Sequence, residues 1–281
     1  MTDSIGKGRT AVPREKQLKV DGRVLNYAEW PGTGTPLVLI HGVVGYWKNW
    51  ISVAPGFQAH YQVFALDTRG HGGSSHTNGL YDIDEYAGDV IEFLERSVKR
   101  PALLVGLSLG GLVALRASAK RPEMVKAVVM ADPSFCYADD YGDKPFKHWF
   151  EETRRLSALK LSEQAILPIV AKSFPEFSAT EQAEVSRCLA LIDPSVIEAA
   201  LKGRYFTRKT SEPLLKAAKG PVLIIQADSA SGGGLPDEEA QWAVGLLKNG
   251  TLVKWAGSGH TVHRDPARLV QTARDFFERS A

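Results

Sequence analysis

Short apolar runs alternate with amphipathic stretches along most of this chain. Val24–Trp30, Leu37–Ile40, Gln62–Leu66, Ala102–Val105, Ala127–Met130, Val222–Gln226 and Leu252–Trp255 have strand length, and most are flanked by Gly, Pro, Asn or Asp. Between them lie segments with helical spacing. Asp82–Arg100 places Ile83, Tyr86, Ala87, Val90, Ile91 and Leu94 on one side, and Asp237–Lys248 and Pro266–Arg279 complete the alternation at the C-terminal end. Near-continuous Val/Leu/Ile strands interleaved with amphipathic helices predict an α/β fold with a mostly parallel central sheet flanked by helices on both faces.

The rhythm breaks after Pro133. Residues 134–213 contain no convincing strand, and helical segments are expected near Pro145–Leu159, Leu161–Ser173, Thr180–Ile192 and Ser195–Tyr205. Strand–helix alternation then resumes. Because both ends of the block return to one sheet, the expected organisation is a core of residues 16–133 and 214–281 carrying an inserted helical cap, 134–213, over the strand ends. Residues 1–15 are polar, with no apolar stretch of signal-peptide type, and are expected to be a disordered tail.

Composition narrows the function classes. The 281 residues are 44% hydrophobic and 23% charged, as in a globular protein. The 34 basic and 32 acidic residues leave a net charge of +2, too balanced for a nucleic-acid or anionic-membrane partner. No run reaches membrane-spanning length. Cys136 and Cys188 show no zinc-site spacing and suit free thiols in a reducing cytoplasm, although sequence alone leaves a disulfide open. His71 and His76 are the nearest approach to a histidine cluster but lack acidic neighbours, so neither a metal nor another cofactor is expected. The oligomeric state is open between monomer and homodimer.

The chemistry concentrates at Gly106-Leu107-Ser108-Leu109-Gly110, which follows the Ala102–Val105 run and opens a helix-compatible segment. Gly-x-Ser-x-Gly between a strand and a helix is a nucleophile elbow: the turn is tight enough that side chains two residues either side of the serine would collide. A serine hydroxyl needs a base. His260 follows the last strand in Gly257-Ser258-Gly259-His260, at the same sheet edge as Ser108, and is preferred over His263.

These motifs, together with His41-Gly42 and Asp67-x-Arg69-Gly70-x-Gly72-x-Ser74, occur in an order that resembles the α/β-hydrolase fold family, in its cap-bearing, esterase- and lactonase-like branch. The resemblance extends from Val24 to the C-terminus. It implies a Ser-His-acid triad of Ser108, His260 and a carboxylate. It also implies an oxyanion hole from the backbone N–H groups of Val43 and Leu109, with His41, Asp67 and Arg69 as braces. The expected activity is hydrolysis of a small ester, lactone or amide through an acyl-enzyme. Carbon–carbon bond hydrolysis and cofactor-free oxygenation occur on the same fold, and a small-ligand receptor would use the same pocket.

The triad acid departs from the family's usual pattern. The usual position, about three residues beyond the strand equivalent to Val222–Ala227, holds Ala230 here. Asp132, after Ala127–Met130, is preferred, with Asp228 and then Asp237 as alternatives. Val44, Tyr46, Trp47, Trp50, Phe135, Tyr137, Phe146, Trp149 and Phe150 are expected around the pocket, which suits a small apolar or aromatic substrate. Arg204 or Arg208 could meet a substrate carboxylate.

Overall fold

In the computed structural model, which describes residues 12–136, 145–205 and 207–280, eight strands form one sheet. They are β1 (Arg14–Val20), β2 (Arg23–Trp30), β3 (Thr35–Ile40), β4 (Tyr61–Leu66), β5 (Ala102–Leu107), β6 (Val125–Ala131), β7 (Val222–Ala227) and β8 (Gly250–Trp255). The spatial order is β1-β2-β4-β3-β5-β6-β7-β8. β2 runs antiparallel to both β1 and β4, and every pairing from β4 through β3 to β8 is parallel.

The apolar runs are continuous because both sheet faces are covered. Val38, Ile40, Leu104, Val128, Met130, Val222 and Ile224 enter one core cluster. Their neighbours Leu37, Leu39, Val105, Val129, Leu223 and Ile225 enter the other. This is the two-residue period of a strand, with both sides apolar. α2 (Ile83–Phe93), α3 (Leu109–Lys120), α8 (Arg208–Ala217) and α9 (Asp237–Leu246) cover the first face. α1 (Ala54–Gln58) and α10 (Pro266–Arg279) cover the second.

Two elements cross the expected boundaries. β1 begins at Arg14, inside the expected 1–15 tail; residues 1–11 lie outside the described residues. In REKQLKV only Val20 is fully buried, so an apolar-pattern reading passes over it. It is an edge strand whose partner β2 supplies the hydrophobic contacts, and its charged side chains suit an edge. The cap boundary at 213 falls inside α8. That helix packs on α3 and α9 of the core, and Ser211 Oγ donates to the Phe135 carbonyl (2.7 Å).

Between β6 and α8 the described residues form α4 (Pro145–Ser157), α5 (Glu163–Ser173), α6 (Ala179–Leu191) and α7 (Pro194–Leu201). Their buried faces, including Phe150, Ile166, Val170, Val185 and Ile197, join the same hydrophobic cluster as α2 and α3. Polar ties reinforce the junction: Asp193 N–H donates to Gly70 O (2.8 Å) and Tyr81 Oη to Asp193 Oδ2 (2.6 Å). No helix among the described residues is long and apolar enough to cross a membrane.

Candidate active site

The C-terminal ends of β3, β5, β6 and β8 deliver the site residues to one edge of the sheet. Ser108 sits at the β5–α3 elbow with φ 51°, a left-handed conformation that a serine adopts only under constraint. The constraint is visible on both sides. A Cβ on Gly106 would stand 2.1 Å from the Gly110 carbonyl oxygen, and one on Gly110 would stand 2.2 Å from that of Ile40. The chain therefore turns only with both glycines, and Ser108 N–H is held by Ala131 O (2.9 Å).

Asp132 follows β6, also at positive φ (44°), and is fully buried. Its Oδ1 accepts from Ala227 N–H (2.9 Å), and its Oδ2 accepts from Gly234 N–H (2.7 Å) and His260 Nδ1–H (2.6 Å). Fixing Nδ1 as the donor leaves the opposite nitrogen of a neutral His260 ring as a proton acceptor. The glycine-rich stretch after β7 is what permits this closeness. A Cβ on Gly234 would lie 3.0 Å from His260 Nδ1 and 3.3 Å from Asp132 Oδ2.

The other candidate residues have partners of their own. Asp228 Oδ1 accepts from Ala230 N–H (3.0 Å) and its Oδ2 from Gly257 N–H (2.9 Å), so it braces the loop that carries His260. These backbone donors hold its carboxyl below the usual range. Asp237 receives Gln226 Nε2 and Lys254 Nζ (both 2.6 Å). His263 is buried, with Nε2 3.8 Å from Glu184 Oε1 and its ring beside Trp50.

The loop after β3 lies against the elbow: a Cβ on Gly42 would be 3.4 Å from that of Ser108. Two buried histidines fix its peptide planes. Thr68 N–H donates to His41 Nε2 (3.1 Å), so His41 Nδ1–H faces the Gly42 carbonyl (2.8 Å). His71 Nε2 reaches the Val43 carbonyl at 2.7 Å. Burial depresses both imidazole pKa values, and proximity to His71 depresses that of His41 further, so the rings are neutral. In a trans peptide the N–H opposes the preceding C=O, so holding Gly42 O orients Val43 N–H. Leu109 N–H, at the first position of α3, has no intrahelical acceptor.

Asp67 completes the scaffold by accepting from Trp47 N–H (2.6 Å), Gly73 N–H (2.9 Å) and Asn26 Nδ2 (2.8 Å). Burial nevertheless raises its pKa to about 6. Arg69 Nε and Nη2 grip Asp89 at 2.6 and 2.7 Å.

Ser108 and His260 line one cavity of about 300 Å³, whose apolar wall includes Val43, Val44, Leu107, Phe146, Trp149, Phe150, Phe177 and Val185. Phe146 lies 5.2 Å from the His260 ring, and Trp149 packs on Phe177 at 5.7 Å between ring centroids. Of the expected aromatics, Tyr46, Trp47, Trp50 and Phe135 do not line this cavity; they are buried in the core packing. Their position next to pocket residues is shared with true lining residues, so sequence cannot separate the two. Tyr137 lies outside the described residues.

The polar end of the cavity was not anticipated. Asn49, Glu181, Glu184, His263 and Arg264 line it, whereas Arg204 donates to Gly79 O (2.7 Å) and Arg208 stacks over Trp242. Arg264 bridges to both Glu181 and Glu184, the latter at 2.8 Å, tying α6 to the turn just past His260. The spacing Glu181, Glu184, Val185, Cys188 on α6 was the available signal, but it identifies a helix face without saying what that face meets.

Glu184 carries a pH consequence. Burial opposes its ionisation, but the nearby His263 ring and the Arg264 guanidinium bonded to it prevail and bring its pKa from 4.5 to about 2. A depressed carboxylate contributes stability that is complete above the unfolded pKa and lost as pH falls through the folded one. Thermal melts from pH 5 down to pH 2 should therefore show wild type losing more stability than Glu184→Gln. Parallel curves would contradict this assignment.

A model of the alpha/beta hydrolase fold matches residues 35–265. The chain belongs to that family. This hydrolase is 36% identical over 124 residues to a dihydrolipoyllysine-residue acetyltransferase component of the acetoin cleaving system from Pseudomonas putida, covering 44% of this chain and 34% of that protein. It is 34% identical over 110 residues to the (E)-2-((N-methylformamido)methylene)succinate hydrolase of Acinetobacter baylyi, covering 39% of this chain and 41% of that one. The matches thus span less than half the length of these two relatives. Among solved structures, an N-formylmaleamic acid deformylase from Pseudomonas putida S16 superposes with a TM-score of 0.75 at 21% identity, over 93% of this chain and 100% of that one.

Proposed function

We propose that this hydrolase cleaves a small ester, lactone or amide through an acyl-enzyme on Ser108. The single observation that carries the reading is the 2.6 Å bond between Asp132 Oδ2 and His260 Nδ1, in a cavity that Ser108 also lines. Ser108 Oγ attacks the substrate carbonyl carbon while its proton passes to His260 Nε2. The carbonyl electrons move onto oxygen, where the N–H groups of Val43 and Leu109 receive the charge. His260 then returns the proton to the departing alcohol or amine, and the carbonyl reforms. Water, deprotonated by the same imidazole, repeats the sequence and releases the acid.

Asp132 acts by holding the ring and stabilising the imidazolium. A preorganised oxyanion donor contributes about 3–4 kcal/mol to the transition state, which is why the rigidity imposed by His41 and His71 matters. The aromatic wall and the cavity of about 300 Å³ favour a compact apolar or aromatic group next to the scissile carbonyl. Amides stand beside esters because one structural relative is a deformylase of N-formylmaleamic acid.

The test is a rapid-mixing assay with p-nitrophenyl acetate. The expected result is a burst of nitrophenolate stoichiometric with enzyme, absent in Ser108→Ala. Turnover that persists in that variant would overturn the reading.

A further inference from the structure

Helix α6 lies between two cavities. Glu181, Glu184, Val185 and Cys188 line the catalytic one. Thr180, Ala183, Glu184 and Arg187 line a second, of about 640 Å³. Each set has the i, i+3, i+4, i+7 spacing of one helix face, and Glu184 belongs to both. Asn49, His263 and Arg264 also line both cavities, so a partition of four side chains separates them.

The partition is held by side-chain bonds. Asn49 Nδ2 and Arg264 Nη2 donate to Glu184, and Arg264 Nη1 donates to Glu181. Its members come from three segments: the turn after the Gly42–Val43 loop, the cap helix, and the turn after His260. Arg264 and Glu184, ion-paired with each other, line both spaces.

The compartments differ in chemistry. The inner one presents an apolar aromatic wall beside Ser108 and, at about 300 Å³, lies at the lower end of ligand-pocket volumes. The outer one is lined by the Tyr46 hydroxyl and the Lys48 ammonium beside Ile51 and Ala183, with the Arg187 guanidinium held by Glu163. We infer that the second cavity is the distal compartment of the substrate site. It takes the far end of an elongated ester or amide whose chain is apolar next to the scissile carbonyl and ends in a hydrogen-bond acceptor. The inference rests on the serine-hydrolase reading, since Ser108 fixes the end from which the chain is measured.

Ala183 and Thr180 line the outer cavity and not the inner one, so Ala183→Trp and Thr180→Trp narrow the outer space. With both variants checked for folding by thermal melting, kcat/KM for p-nitrophenyl 10-hydroxydecanoate should fall by about tenfold or more. The value for p-nitrophenyl acetate should remain within about twofold of wild type. Parallel changes for both esters, or no change for either, would overturn the inference. A wild-type enzyme that cleaves the acetate but not the long ester would overturn it while leaving the hydrolase reading intact. Failure on both esters would remove the two together. Independently of any variant, a crystal structure with a 10-hydroxydecyl phosphonate on Ser108 should show the chain crossing the partition. A chain coiled within the inner cavity would contradict it.

Discussion

Asp132→Asn is expected to slow acyl-enzyme formation by about 10⁴-fold, while Asp228→Asn stays within about tenfold of wild type. The two aspartates end adjacent strands, β6 and β7, but their donors differ. Asp132 is fully buried and accepts two backbone N–H groups as well as His260 Nδ1–H at 2.6 Å. An asparagine there keeps the shape but loses the negative charge that stabilises the imidazolium, and its amide can favour the wrong tautomer. Asp228 receives only backbone N–H groups, from Ala230 and Gly257. Its loss loosens the loop that holds His260 without removing charge from the ring. Single-turnover release of nitrophenolate measures both variants, and a large loss confined to Asp228→Asn would reverse the assignment.

The second large effect belongs to the base. His260→Ala should lower kcat by about 10⁶-fold, as when a serine hydrolase loses its imidazole. His263→Ala should retain most of its activity and lose stability instead, because that ring is buried beside Trp50 and Glu184. Paired steady-state kinetics and thermal melts separate the two effects. Comparable losses of activity in both variants would contradict the separate roles given to these neighbours.

The elbow was legible from sequence because strained backbone admits few residues: with Gly106 and Gly110 both required by close contacts, the pattern encodes its own geometry. The inner strands were legible for a similar reason, since burial on both sheet faces leaves little but Val, Leu and Ile. β1 was not, because an edge strand with mostly exposed side chains needs no such pattern. The acid remained open between Asp132 and Asp228 because both follow parallel strands to the same edge, and only the fold of residues 229–235 brings Gly234 N–H onto Asp132. Arg264 was missed for a different reason. Its role comes from α6, 80 or more residues away in sequence, and no local spacing records that meeting.

The most direct test of the central claim is mass spectrometry of the intact protein after exposure to an alkyl fluorophosphonate, followed by peptide mapping. One adduct is expected, on the peptide containing Ser108, with none in Ser108→Ala. An unmodified wild-type protein, or an adduct on another residue, would contradict the account.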